Sequence, residues 1–168
     1  MMMETMNERR TVLYFETRIA APATVVFPLL CPVREYDWID GWECEVLYSA
    51  SGVAENNCVF TTNNPERGGE AIWTVTRYEP ENCLIQFSIQ YPGQFIEKLD
   101  ICGEETQGGT LLKWRRTYTA LSESGQALLE AVVAPHIDLV MGYLHAALDH
   151  YCQNGAMLMR SEFFAENR

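Results

Sequence analysis

The sequence predicts an α+β fold in which one curved antiparallel sheet packs against one long C-terminal helix. Segments after residue 43 alternate apolar and polar side chains, as strands do. Short turn-rich links such as Ser51-Gly52 and Pro92-Gly93 separate these segments, which indicates an antiparallel meander. A helical pattern of about thirty residues then follows the last strand. A sheet and a helix can bury their apolar faces against each other in two layers.

The N-terminal part of the chain predicts one strand followed by short helical pieces. Thr11–Ala20 alternates as a strand. Pro22 suits the first turn of a helix, so a short helix is expected over Pro22–Leu30. Prolines further along prevent that helix from continuing, and a second short helix or turn is expected over Val33–Ile39.

Alternation predicts the rest of the sheet, which makes about seven strands in all. Turn residues bound each segment, and the links are short enough for each strand to pair with the next. The remaining predicted strands are Glu43–Ser49, Asn57–Asn63, Glu70–Tyr78, Cys83–Tyr91, Gln94–Gly103 and Thr110–Leu121.

The final helix is expected to begin at Ser122 or Ser124, since either side chain can cap it. It should end at Asn154-Gly155. Pro135 is expected to kink the helix and divide it into two arms. The predicted organisation is therefore a flexible tail over 1–10, a single domain over 11–155 and a second tail over 156–168.

Composition excludes several classes of partner. The 168 residues carry 12 basic and 23 acidic side chains, and the net charge of −11 argues against nucleic acids and anionic membrane surfaces. The chain begins without the apolar core of a secretory signal, and no membrane span is expected. Its six cysteines are scattered without metal-ligand spacing, which favours reduced thiols in a cytoplasmic protein. Neither a metal nor a cofactor is predicted.

An arginine lies on the face of the last strand that should be dry. Period-two alternation places Trp114, Arg116 and Tyr118 on one face of Thr110–Leu121. A buried guanidinium costs several kcal/mol unless it is paired or the interior is partly wet. Glu97 should stand across from Arg116 if the hairpin turns through Glu105–Gly108, so the sequence predicts an internal ion pair. Whether this pair is purely structural or is the polar end of a ligand cavity stays open.

Several segments resemble the START-like superfamily, also called SRPBCC, whose fold is the helix-grip. These are Cys31–Val46, Tyr48–Gly52, Cys58–Phe60 and Thr119–Leu121, and they are most similar to a polyketide cyclase/dehydrase-like bacterial branch. The resemblance covers about Leu13 to Gly155. It implies a curved sheet that grips the C-terminal helix over a largely apolar tunnel. Homodimerisation is common for such domains.

The candidate ligand-binding residues are those expected to face this tunnel. Aromatic side chains are more often core than site, so each tryptophan also has a purely structural interpretation. Near Trp38 and Trp42, the carboxylates of Glu35, Asp37 and Asp40 are either solvated charges or groups that contact a ligand hydroxyl. The candidates are Trp38, Trp42, Trp73, Glu97, Trp114, Arg116, Tyr118, His136, Val140 and Leu144.

The first functional hypothesis is a binder of a small hydrophobic molecule, lipid-like or aromatic, with one polar end. The second is a cyclase or dehydratase that uses the same cavity, with His136 and Tyr118 in proton transfer and Arg116 steadying an enolate. The third is a protein-interaction module with an incidental cavity. The iron site of the superfamily's ring hydroxylases is not expected, because the three histidines do not share one inward face.

Overall fold

The computed structural model describes residues 2–7 and 9–166. Its strands form a single eight-stranded antiparallel sheet in the order β1-β2-β8-β7-β6-β5-β4-β3. The strands are β1 (Met2–Asn7), β2 (Arg10–Ile19), β3 (Glu45–Tyr48), β4 (Val59–Asn64), β5 (Gly69–Glu79), β6 (Leu84–Tyr91), β7 (Phe95–Thr106) and β8 (Gly109–Ala120). The predicted meander is confirmed from β3 to β8, and β2 then pairs with β8 across the sheet.

The helices are short except near the C-terminus. Helix α1 (Ala23–Val26) continues as a 3₁₀ helix over Phe27–Leu30, and a second 3₁₀ turn covers Glu35–Asp37. These are the short helices predicted after the first long strand. The remaining helices are α2 (Glu123–Leu128), α3 (Ala134–Asn154) and α4 (Arg160–Glu166).

Both predicted tails contain regular structure. Residues Met2–Asn7 of the expected first tail form β1, which pairs with β2 and makes the sheet one strand larger than predicted. Within the expected second tail, α4 places Phe163 and Phe164 against the ring of Tyr143. The sequence criteria missed both elements, because an edge strand and a short docked helix need only part of a periodic pattern. Residues 1, 8, 167 and 168 of the predicted tails lie outside the described residues.

The long C-terminal helix contains a π-helical turn just before Pro135, and the predicted kink into two arms stays a prediction. Ser122 caps α2, and its hydroxyl accepts a hydrogen bond from the Gly125 N–H. A π-helical turn over Leu129–Val133 separates α2 from α3, with the Ala134 N–H donating to the Leu129 carbonyl. Pro135 follows at the start of α3. A proline has no N–H for the preceding turn, so the helical ladder is irregular at this position.

The apolar core lies between the sheet and α3. Ile137, Met141, Ala147 and Leu148 of α3 are buried there. The span Glu123–Asn154 is long and apolar enough to cross a membrane by length and composition. Its packing on the sheet explains that composition, because a helix that covers a sheet needs an apolar face. It is the core helix of this fold.

Candidate functional site

An ion pair lies in the interior, as the sequence predicted. Arg116 is 4% exposed and Glu97 is 1% exposed, and Arg116 Nη1 lies 2.5 Å from Glu97 Oε1. The register differs by two residues from a directly opposite pair, because Glu97 is opposite Tyr118 and Arg116 is opposite Leu99. The two side chains therefore meet on a diagonal, which long side chains on one face of a sheet can span.

A second arginine completes this cluster. Arg67 ends the 3₁₀ turn Pro65–Arg67, which precedes β5. Its Nη2 donates to the Tyr118 hydroxyl at 3.1 Å and lies 3.6 Å from Glu97 Oε2. Arg116 Nη1 lies 3.3 Å from the same hydroxyl. Because the Arg67 side chain keeps 21% of its surface exposed, it connects the buried pair with solvent. We call Arg67, Glu97, Arg116 and Tyr118 the polar cluster.

Electrostatics keep both guanidinium groups charged. Burial by itself lowers the pKa of Arg116, but the attraction of Glu97 and Tyr118 outweighs it, and the pKa is raised above its ordinary value. The same balance raises the pKa of Arg67. Burial and the negative charge of Glu97 raise the pKa of the Tyr118 phenol, and burial raises the pKa of Tyr91 to about 12. Both tyrosines are therefore neutral at neutral pH.

Glu35 adds a carboxyl group of a different kind. It lies in the 3₁₀ turn Glu35–Asp37 and is half-buried. Burial raises its pKa to about 8, and the attraction of Arg116 only partly opposes that shift. No hydrogen bond from a described residue helps to stabilise its ionised form. At neutral pH, Glu35 is therefore a protonated carboxylic acid within electrostatic reach of the polar cluster.

The polar cluster holds more positive than negative charge and one unused donor. Arg67 and Arg116 face a single carboxyl group, that of Glu97. The Arg116 Nε atom is buried and has no hydrogen-bond partner among the described residues. A buried guanidinium donor without an acceptor is costly. The cluster therefore has a free donor and a surplus positive charge, and both suit an additional oxygen atom that carries negative charge.

The tryptophans are anchored within the protein. All four indole N–H groups donate to a protein acceptor at 2.9 Å. Trp38 is 1% exposed and Trp73 stacks on Phe60, so both contribute to packing. Trp42 packs edge-on against Trp73, and both rings are half-buried. The acceptors are the Leu29 carbonyl for Trp38, the Pro32 carbonyl for Trp42, the Thr62 hydroxyl for Trp73 and the Thr17 hydroxyl for Trp114.

His136 does not join the cluster. Its side chain is exposed, and its Nδ1 atom lies 2.8 Å from the Val132 carbonyl of the preceding turn. The prediction that it faces a cavity is wrong. The π-helical turn explains the error, because one extra residue in a turn rotates every later position relative to a regular helix. Val140 and Leu144 of the same helix are half-buried, and Leu144 packs against the core.

An open cleft of about 830 Å³ lies beside α3. Its walls include Phe15 and Trp114 of the sheet and Met141, Gly142 and His145 of α3. Of the sequence candidates, Trp114 lines this cleft, whereas Glu97 and Arg116 do not. The cleft and the polar cluster are therefore separate features.

Two residues of the site were not among the sequence candidates. Arg67 lies in a glycine-rich turn, where nothing in the sequence indicates that its side chain folds inward. Glu35 was recognised only as one of several carboxylates near Trp38. Its separation from Arg116 by many residues concealed their interaction. Among the described residues, no three or more His, Cys, Asp or Glu side chains are grouped as metal ligands.

Solved structures share this architecture. The chain resembles an aromatase/cyclase from Streptomyces sp. R1128, with a TM-score of 0.65, 13% identity and coverage of 89% of this chain and 99% of the other. The chain also resembles norcoclaurine synthase from Thalictrum flavum, with a TM-score of 0.65, 13% identity and coverage of 86% of this chain and 87% of the other. A third similar structure is that of Ara h 8.0201, with a TM-score of 0.62, 14% identity and coverage of 86% of this chain and 98% of the other.

At these identities the likeness shows the fold alone. No family model matches the chain, and neither does any curated protein. The order of strands, short helices and long C-terminal helix nevertheless agrees with the predicted architecture. The chain therefore has the helix-grip fold of START-like proteins.

Proposed function

We propose that this protein binds a small hydrophobic molecule whose polar end reaches the polar cluster. The single observation that carries this proposal is the buried Arg116 Nε–H, which has no partner among the described residues. A purely structural pair gains most when every donor is satisfied. The unused donor instead fits a site that a ligand completes. Half-buried Trp73 lies on the same face of the sheet as Glu97, because it is opposite Ile89 of β6, which is in turn opposite Glu97 of β7.

Native mass spectrometry of the freshly purified protein tests this proposal. The expected result is a co-purifying small molecule, or binding of members of a panel of fatty acids and polyphenols. A double variant, Glu97→Leu/Arg116→Met, removes the polar end while it keeps similar volume. We expect this variant to fold and to lose the ligand. If the panel does not bind to the wild-type protein and no molecule co-purifies, the proposal is contradicted.

A cyclase or dehydratase reaction is the second candidate, and Glu35 favours it. A carboxylic acid whose pKa is about 8 can exchange a proton near neutral pH. Tyr118 and the arginines would then stabilise an enolate oxygen, as oriented donors do when charge develops on a substrate. With His136 exposed, Glu35 replaces it as the proton-transfer candidate. Turnover of a poly-β-ketone substrate by the wild-type protein, and its loss in Glu35→Gln, would support this candidate; binding without turnover would contradict it.

The interaction-module hypothesis has one observation in its favour. The edge strand β3 exposes Val46, Leu47 and Tyr48, with Leu47 56% and Tyr48 59% exposed. An exposed edge strand can pair with another chain. Size-exclusion chromatography with light scattering compares the wild-type protein with Leu47→Lys. A monomer in both samples would contradict homodimerisation through this edge.

A further inference from the structure

The polar cluster also indicates what kind of head group the ligand has, an inference that rests on the proposed function. Its charged members are Arg67, Glu97 and Arg116, so two guanidinium groups face one carboxylate. Glu97 and Arg116 are almost fully buried, where water screens their charges poorly. One positive charge in this part of the interior is therefore uncompensated.

The geometry of the cluster places this surplus next to an open donor. Glu97 Oε1 contacts Arg116 Nη1, and Glu97 Oε2 lies 3.6 Å from Arg67 Nη2. Neither contact reaches Arg116 Nε, which is buried without a partner among the described residues. A neutral carbonyl or hydroxyl oxygen would satisfy that donor and leave the charge uncompensated. An anionic oxygen would satisfy the donor through a charge-assisted hydrogen bond and would also compensate the positive charge.

We propose that the ligand carries one negatively charged oxygen group, a carboxylate or a phenolate, which binds Arg116 Nε and compensates the second guanidinium. Ligands with a neutral head group bind more weakly at the same site. A ligand with a single negative charge brings the cluster to electrical balance.

The test compares two probes that differ only in the charge of the head group. 2-Naphthoate and its amide, 2-naphthamide, have nearly the same shape, and the acid is ionised throughout the range from about pH 6.5 to about pH 9.5. Isothermal titration calorimetry gives the Kd of each probe for the wild-type protein and for Arg67→Gln. Arg67 is chosen because 21% of its side-chain surface is exposed and because it is not part of the direct Glu97–Arg116 contact. Arg77→Gln removes an exposed surface arginine and is the matched control.

We expect naphthoate to bind about tenfold or more tightly than naphthamide near pH 6.5, and Arg67→Gln to remove most of that preference. Arg77→Gln should leave it unchanged. Circular dichroism confirms that each variant is folded. Equal affinity for the two probes would overturn the anionic head group while hydrophobic ligand binding stands. If neither probe binds and the fatty acids and polyphenols also fail, the proposed function falls together with this inference.

Discussion

The tryptophan-rich part of the interior and the polar cluster differ in whether their polar atoms have hydrogen-bond partners. Every indole N–H has a protein acceptor at 2.9 Å, so the aromatic part is complete within the chain. The polar cluster leaves Arg116 Nε unpartnered and holds a surplus positive charge. Aromatic residues here therefore mainly build the fold, whereas unsatisfied charge marks the candidate site.

The largest expected effect comes from breaking the ion pair at one side. Glu97→Leu would leave Arg116 buried next to the second guanidinium of Arg67, and we expect it to lower the free energy of unfolding by about 3–5 kcal/mol. The double variant Glu97→Leu/Arg116→Met should recover most of that loss, since it removes both charges. Urea denaturation measures both. A loss of less than about 1 kcal/mol in the single variant would mean that the pair is not buried as described.

Replacing Glu35 should change how stability depends on pH. Its carboxyl has a pKa of about 8 in the folded protein and an ordinary, lower value when unfolded, so the folded state holds the proton more tightly. This contribution is fully present below the ordinary carboxyl pKa and is lost progressively as pH rises from that value through about 8. Glu35→Gln cannot ionise, so it should be more stable than wild type by about 2–4 kcal/mol near pH 9.

The measurement is a series of urea denaturation curves from about pH 5 to about pH 9 for both proteins. The two curves of stability against pH should meet at the acidic end and separate steadily towards the alkaline end. Parallel curves would show that the Glu35 carboxyl is not held in a low-dielectric environment.

A smaller loss is expected in the aromatic part. Trp38→Phe removes the indole N–H that donates to the Leu29 carbonyl and leaves a small void, which should cost about 1–3 kcal/mol of stability. The relative affinities for naphthoate and naphthamide should not change. A change in that ratio would place Trp38 in the ligand site and remove the contrast between the two regions.

The smallest effect is expected at His136. Its side chain is exposed and contacts only the Val132 carbonyl among the hydrogen-bond partners described. We expect His136→Ala to change stability by less than about 0.5 kcal/mol and to leave ligand binding unaltered. Thermal unfolding with and without naphthoate checks both. If naphthoate no longer raised the unfolding temperature of this variant, His136 would be part of the ligand site.

The sequence was informative wherever a simple period governs the structure. Strand alternation located β7 and β8 to within a few residues and placed Glu97 and Arg116 on one inner face. Their exact pairing was offset by two residues, because hairpin register depends on the geometry of the turn at Gln107-Gly108. The fold could therefore be predicted largely from local patterns.

The remaining site residues depend on contacts that no local pattern encodes. Arg67 enters the interior from a turn, and Glu35 approaches Arg116 from a 3₁₀ segment that is distant in sequence. The orientation of His136 depends on the π-helical turn before it, which hydrophobic periodicity does not reveal. The two predicted tails likewise gain their structure from pairing and docking, as β1 and α4 show.

The unused donor of Arg116 can be observed directly by ¹⁵N NMR of the arginine Nε–H groups. On addition of 2-naphthoate, the assigned Arg116 Nε–H signal should shift and become protected from exchange, while the Trp38 indole signal stays in place. 2-Naphthamide at the same occupancy should produce a much smaller shift. If naphthoate binds while the Arg116 signal is unmoved, the ligand lies elsewhere, and the polar cluster is a structural ion pair.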